Sequence, residues 1–170
     1  MYDELTQVDI DKMKEELEHR TRVLRPKLIE EVQTARAFGD LSENFEYKCA
    51  KRDKNRNDSR IRYLERMIKT AKVIEVTSGN EEDGGIHLFD KVIIFNEMTQ
   101  KEMNLQIVTT LRQNVLKGLI SKESPVGKAL MGHKVGDRVQ VIASPEMKYF
   151  VEIRSVEQGE DDATMEISAY

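Results

Sequence analysis

Asp40 and Glu43 put two carboxylates three residues apart within Gly39-Asp40-Leu41-Ser42-Glu43-Asn44. Such a pair can supply hard oxygen ligands to a divalent cation such as Mg2+. It can equally act as a capping box, with Asp closing the start of a helix and Glu folding back onto the chain. Acids at a helix N-terminus also suit the helix dipole. Spacing alone leaves both readings open. Two side chains cannot fill an octahedral sphere, so metal chemistry here would need ligands from another molecule.

The flanks decide where the pair sits. Gly39 is the sole glycine in residues 1–78, and so the natural point of chain reversal. Before it, residues 8–38 read as helix, with Ile10, Met13, Leu17, Leu24, Leu28, Val32, Ala35 and Phe38 on one apolar stripe. Pro26 lacks an amide proton and crowds the preceding turn, which predicts a kink or short break near Arg25. Residues 43–76 read as a second helix, with Leu64, Met67, Ile68, Ala71 and Ile74 at helical spacing. Two such helices form an antiparallel hairpin with the acids at its tip, and roughly 30 residues per helix gives an arm on the order of 45 Å long.

Charge is uneven along the 170 residues. The net charge is −4, yet residues 46–69 carry nine Lys/Arg against four acids, a local +5 that leaves −9 elsewhere. Such a run is often only a solvated helix face. Its position just behind the acidic tip, with few opposing acids, also suits a phosphate backbone. Cys49 is the single cysteine and can form no internal disulfide, which fits a reducing, cytoplasmic setting. No apolar run is long enough for a signal peptide or membrane span. His19, His87 and His133 show no ligand spacing, and no nucleophile–base arrangement is evident.

Beyond Thr77 the pattern changes. Glycines and acids at 79–85 read as a linker. Lys91 to Phe95, Leu105 to Thr109, Arg138 to Ile142 and Tyr149 to Val156 read as strands, and Val126 to Met131 as a short helix capped by Ser124, with Pro125 in its first turn and Gly132 closing it. The predicted class is therefore α+β. An arm (1–76, tip 39–44) and a linker (77–85) precede a twisted antiparallel sheet domain (86–157). A disordered acidic tail (158–170) follows, with five acids from Glu157 onward and no base.

Two stretches then carry a resemblance. Ala35 to Tyr47 resembles the hairpin tip of the bacterial Gre transcript-cleavage factors. Ser124-Pro125-Val126-Gly127-Lys128-Ala129-Leu130-Met131-Gly132 with Val135-Gly136-Asp137 is similar to the signature of their C-terminal domain. The likeness runs in order from about residue 8 to 157. It implies a coiled-coil arm and an FK506-binding-protein-like docking domain. It further implies a monomeric elongation factor that binds RNA polymerase, enters its secondary channel and stimulates the polymerase's own cleavage of backtracked RNA. The alternative it leaves is a secondary-channel regulator that inhibits without cleavage. By matching position, Asp40 and Glu43 take the catalytic role and share Mg2+ with the polymerase, with no cofactor of the chain's own. Ser42, Asn44 and Tyr47 are tip neighbours. Arg36, Lys48, Lys51, Arg52, Arg56 and Arg60 meet the extruded RNA 3′ end or the channel wall. Residues 109–116, the tail after Glu157 and the bulky Phe45 depart from the family pattern.

Overall fold

The computed structural model describes residues 3–40, 44–76 and 84–169. Ile10–Ala71 forms one compact unit, and Glu4–Asp9 with Lys72–Tyr170 forms the other.

The first unit is the helical hairpin. Its ascending limb is α1 (Gln7–His19), a π-helical turn (Arg20–Leu24) and α2 (Arg25–Arg36). The expected irregularity at Pro26 is thus a widened turn and not a break. Arg25 N–H donates to Arg20 O, five residues back. Widening the turn before the proline relieves the clash between its ring and the preceding carbonyls. The descending limb is α3 (Phe45–Thr70), with Ile61, Leu64 and Met67 buried.

α3 stops six residues earlier than the apolar spacing predicts. Ala71 turns extended at ψ 138, and Lys72–Val73 form β2, which pairs in parallel with β1 (Glu4–Leu5). Ile74 N–H donates to Leu5 O, and the Ile74 side chain packs against the core of the sheet unit. Residues 4–9 and 72–76, read from sequence as arm, therefore group with the second unit.

That unit is built on a five-stranded sheet of order β5-β4-β3-β7-β6. The strands are β3 (Lys91–Asn96), β4 (Lys101–Val108), β5 (Leu119–Ser121), β6 (Arg138–Ile142) and β7 (Lys148–Glu157). The sheet is antiparallel as expected through β4, β3, β7 and β6, and β5 adds one parallel edge beside β4. Val92, Ile94, Leu105, Ile107, Val139, Val141, Val151 and Ile153 form the core with Leu130 of α4 (Pro125–Leu130). Ser124 caps α4 by accepting from Gly127 N–H. Gly127 itself has no room for a side chain, since a Cβ there would lie 2.1 Å from Ser121 O.

The described part of the acidic tail, residues 158–169, makes specific contacts that its composition does not predict. Gly159 N–H donates to Asp90 Oδ1, both Ser168 N–H and its hydroxyl donate to Leu111 O, and Met165 packs on the core. Low hydrophobicity misleads here because the tail is held by specific polar partners.

Candidate functional site

The tip is shaped by two local devices. α2 ends at Arg36, and Gly39 then takes φ +118 with open space around its α-carbon. A side chain would be excluded there by backbone conformation and not by crowding. Asn44 begins α3: its Oδ1 accepts from Tyr47 N–H at 3.0 Å, and its Nδ2 donates across the hairpin to Ala35 O at 2.8 Å.

The N-cap of α3 is Asn44, one residue beyond Glu43 and four beyond Asp40. Asp40 is solvent-exposed and borders a shallow depression with Phe38, Asn44 and Glu46. Leu41, Ser42 and Glu43 lie outside the described residues. Asn44→Ala removes both the cap and the cross-hairpin bond. It is expected to lower stability by about 1–2 kcal/mol, read as an earlier loss of helical circular dichroism on heating.

The basic flank divides into two populations. Arg36, Lys48, Lys51, Arg52 and Arg56 are exposed. Lys51 lies 5.9 Å from the centroid of the Tyr47 ring, and Arg52 approaches Asp53 at 3.6 Å. Arg60 does not belong with them. It is 6% exposed, and its guanidinium grips Glu16 with Nε at 2.9 Å and Nη2 at 3.0 Å. Arg60 is therefore a pin between the two limbs and not a surface contact for nucleic acid. The same Glu16 receives Arg20, which also donates to Asn57 Oδ1 at 3.1 Å. Nothing in the local sequence marks Arg60 apart from its neighbours, because its partner lies 44 residues away.

Burial disfavours the Glu16 charge, yet hydrogen bonds from Arg60 and Arg20 outweigh it and hold the carboxyl below its ordinary value of 4.5. A carboxylate depressed on folding stabilises the fold above its unfolded value, and that contribution is lost as pH falls through the folded value. The melting temperature of the helical signal is expected to drop on acidification below 4.5. In Glu16→Gln that part of the pH dependence should vanish, on a lower baseline.

The sheet unit holds a second cluster missed by sequence reasoning. Arg112, in a short turn (Thr110–Arg112), has a fully buried side chain. Its Nε meets Asp9 Oδ1 at 2.6 Å and its Nη2 meets Asp161 Oδ1 at 2.6 Å. Nη1 donates to Asp162 O, and the guanidinium lies 5.0 Å from the centroid of the Phe89 ring. This is a tie between chain segments and has no reactive geometry. Among the described residues no three His, Cys, Asp or Glu side chains converge as a metal site, and no helix is long and apolar enough to cross a membrane.

Comparison with known proteins places this architecture. Residues 4–73 match the model described as transcription elongation factor, N-terminal, and residues 81–158 match transcription elongation factor, GreA/GreB, C-term. Transcription elongation factor GreA of Mesoplasma florum is 42% identical over 154 residues, covering 89% of this chain and 96% of the relative. The chain belongs to the GreA/GreB family of transcription elongation factors. GreA of Orientia tsutsugamushi is 39% identical over 86% of this chain and 90% of its own length. GreA of Thermoanaerobacter pseudethanolicus is 41% identical over 81% and 86%. Among solved structures, the transcription factor Gfh1 aligns at 26% identity over 92% of this chain and 97% of its own, with a TM-score of 0.45. The GreA/GreB-family match includes the tip but ends at residue 158, so Asp161 and the tail lie outside it.

Proposed function

We infer that this GreA-type factor binds bacterial RNA polymerase and stimulates the polymerase's own cleavage of backtracked RNA. The supporting observation is that Asn44 takes the capping duty at the tip of the helical hairpin, so Asp40, exposed beside it, is not the cap of α3. In this reading the hairpin enters the secondary channel and the sheet unit docks at its rim. The chain is not itself a catalyst. It lends carboxylates to a site whose remaining ligands, including the polymerase's aspartates, come from its partner.

The residues fit that role chemically. An Asp carboxylate exposed at a tip offers oxygen donors suited to Mg2+, and in this reading the Glu43 carboxylate would supply a second set. A cation shared with the polymerase would provide Lewis acidity at the scissile phosphate. The carboxylates of Asp40 and Glu43 accept hydrogen bonds from the attacking water and so orient its lone pair. Arg36, Lys48, Lys51, Arg52 and Arg56 offset the phosphate charge that the acids alone would repel. Addition of the chain to a stalled, backtracked complex should release short RNA fragments from the 3′ side. No shortening beyond that of polymerase alone would overturn the assignment, and slowed synthesis without cleavage products would identify an inhibitor instead.

A further inference from the structure

Two phenyl rings stand in water at the tip. Phe38 is 72% exposed and Phe45 is 75% exposed. Single exposed apolar side chains need no explanation, but these two flank the same end of the hairpin. Phe38 shares a depression with Asp40 and Asn44, and Phe45 directly follows Asn44.

Its neighbours on the helix say what it could meet. Phe45 is the first residue of α3. Lys48, Arg52 and Arg56 follow at three, seven and eleven residues, all exposed. At about 100° per residue these four side chains fall within a sector of about 80°. The stripe runs beside the face that buries Asn57, Arg60, Ile61 and Leu64, and leaves it uncovered. An aromatic ring leading a row of cations is the pattern of single-stranded nucleic-acid recognition, in which a base stacks and the phosphates follow the charge. The core of a protein interface instead disfavours lysine. Asp40 at the same end repels any phosphate that no cation bridges, so the uncharged base belongs at the ring and the rest of the backbone farther along.

We propose that Phe45 is a stacking platform for an unpaired base of the extruded RNA, with Lys48, Arg52 and Arg56 receiving the phosphates behind it. This rests on the reading that the arm meets backtracked RNA. The ring contacts the base and not the reacting phosphate, so it fixes where the strand lies and does not take part in the chemistry.

The test is a backtracked polymerase complex carrying 2-aminopurine at the RNA 3′ end. The wild-type chain should quench its fluorescence by stacking. Phe45→Tyr should keep the quench, whereas Phe45→Ala and Phe45→Leu should lose it. Affinity of Phe45→Ala for the backtracked complex should fall roughly tenfold, and remain unchanged for a complex with no extruded RNA. Undiminished quenching in Phe45→Ala would overturn the proposal. So would an equal loss of affinity for both complexes, which would identify a contact with the channel wall. Quenching is read separately from cleavage. Failure of the cleavage role with quenching intact, and loss of quenching with cleavage intact, are therefore distinct results. A wild-type chain that binds no polymerase would overturn both.

Discussion

Asp40→Asn and Glu43→Gln are expected to bind a backtracked complex as tightly as wild type while losing cleavage stimulation by on the order of 100-fold or more each. Either change removes one anionic oxygen set and leaves shape and volume nearly intact. The double variant should be little worse than the worse single one, since groups acting as a unit do not lose activity additively. The fold supplies a control of its own. Because Asn44 is the N-cap of α3, Asn44→Ala should lower the melting temperature by more than Asp40→Asn does. RNA shortening measured beside thermal melts separates the two. Unchanged shortening in both acid variants would sink the mechanism. A stability loss of about 1 kcal/mol in Asp40→Asn would return the residue to a capping role.

Arg112→Met is the second large effect, and it concerns folding. Arg112 and Asp9 are both fully buried, and Asp161 is mostly so. Removing the cation leaves buried carboxylates unpaired, which is expected to cost about 3–5 kcal/mol. The loss should appear as a lower urea midpoint for the β-sheet signal. Replacing the acids as well, in Arg112→Met with Asp9→Asn and Asp161→Asn, should restore much of it, because no charge is then stranded. Deleting residues 159–170 should fall between these, since Asp9 keeps its partner. If Arg112→Met unfolds at the wild-type midpoint, the tie contributes nothing and the tail is only draped on the surface.

These two sites also show what a sequence discloses. The helix α4 and strand β6 were legible because their determinants are local: Ser124, Pro125 and Gly132 punctuate the one, and Val139 and Val141 alternate through the other. The tip was legible for the same reason, as Gly39 marks the reversal. Arg60 and Arg112 were not. Each sits in an unremarkable polar stretch, and each is buried by a carboxylate distant in the chain, Glu16 in one case and Asp9 in the other. Ile74 was misplaced because its spacing suits a helix, while its N–H bonds to Leu5 O, distant in the chain, just past the two-residue strand β2. The contacts of the tail are not legible in composition, because Asp161 meets a residue far upstream, Arg112.

The parallel pair of β1 and β2 has a consequence for how the chain reaches this state. Their paired residues, Glu4 with Lys72 and Leu5 with Val73, are joined by the whole hairpin. The arm is therefore a closed excursion from the sheet unit, leaving and re-entering through one pair of hydrogen-bonded strands. Closing so long a flexible loop directly would be entropically costly, and slow for a two-residue strand to reward. Zipping α2 against α3 from the turn at Gly39 instead brings the two ends together by short-range steps. On these grounds assembly of the arm is expected to start at the turn by Gly39 and to end with the strands at its root.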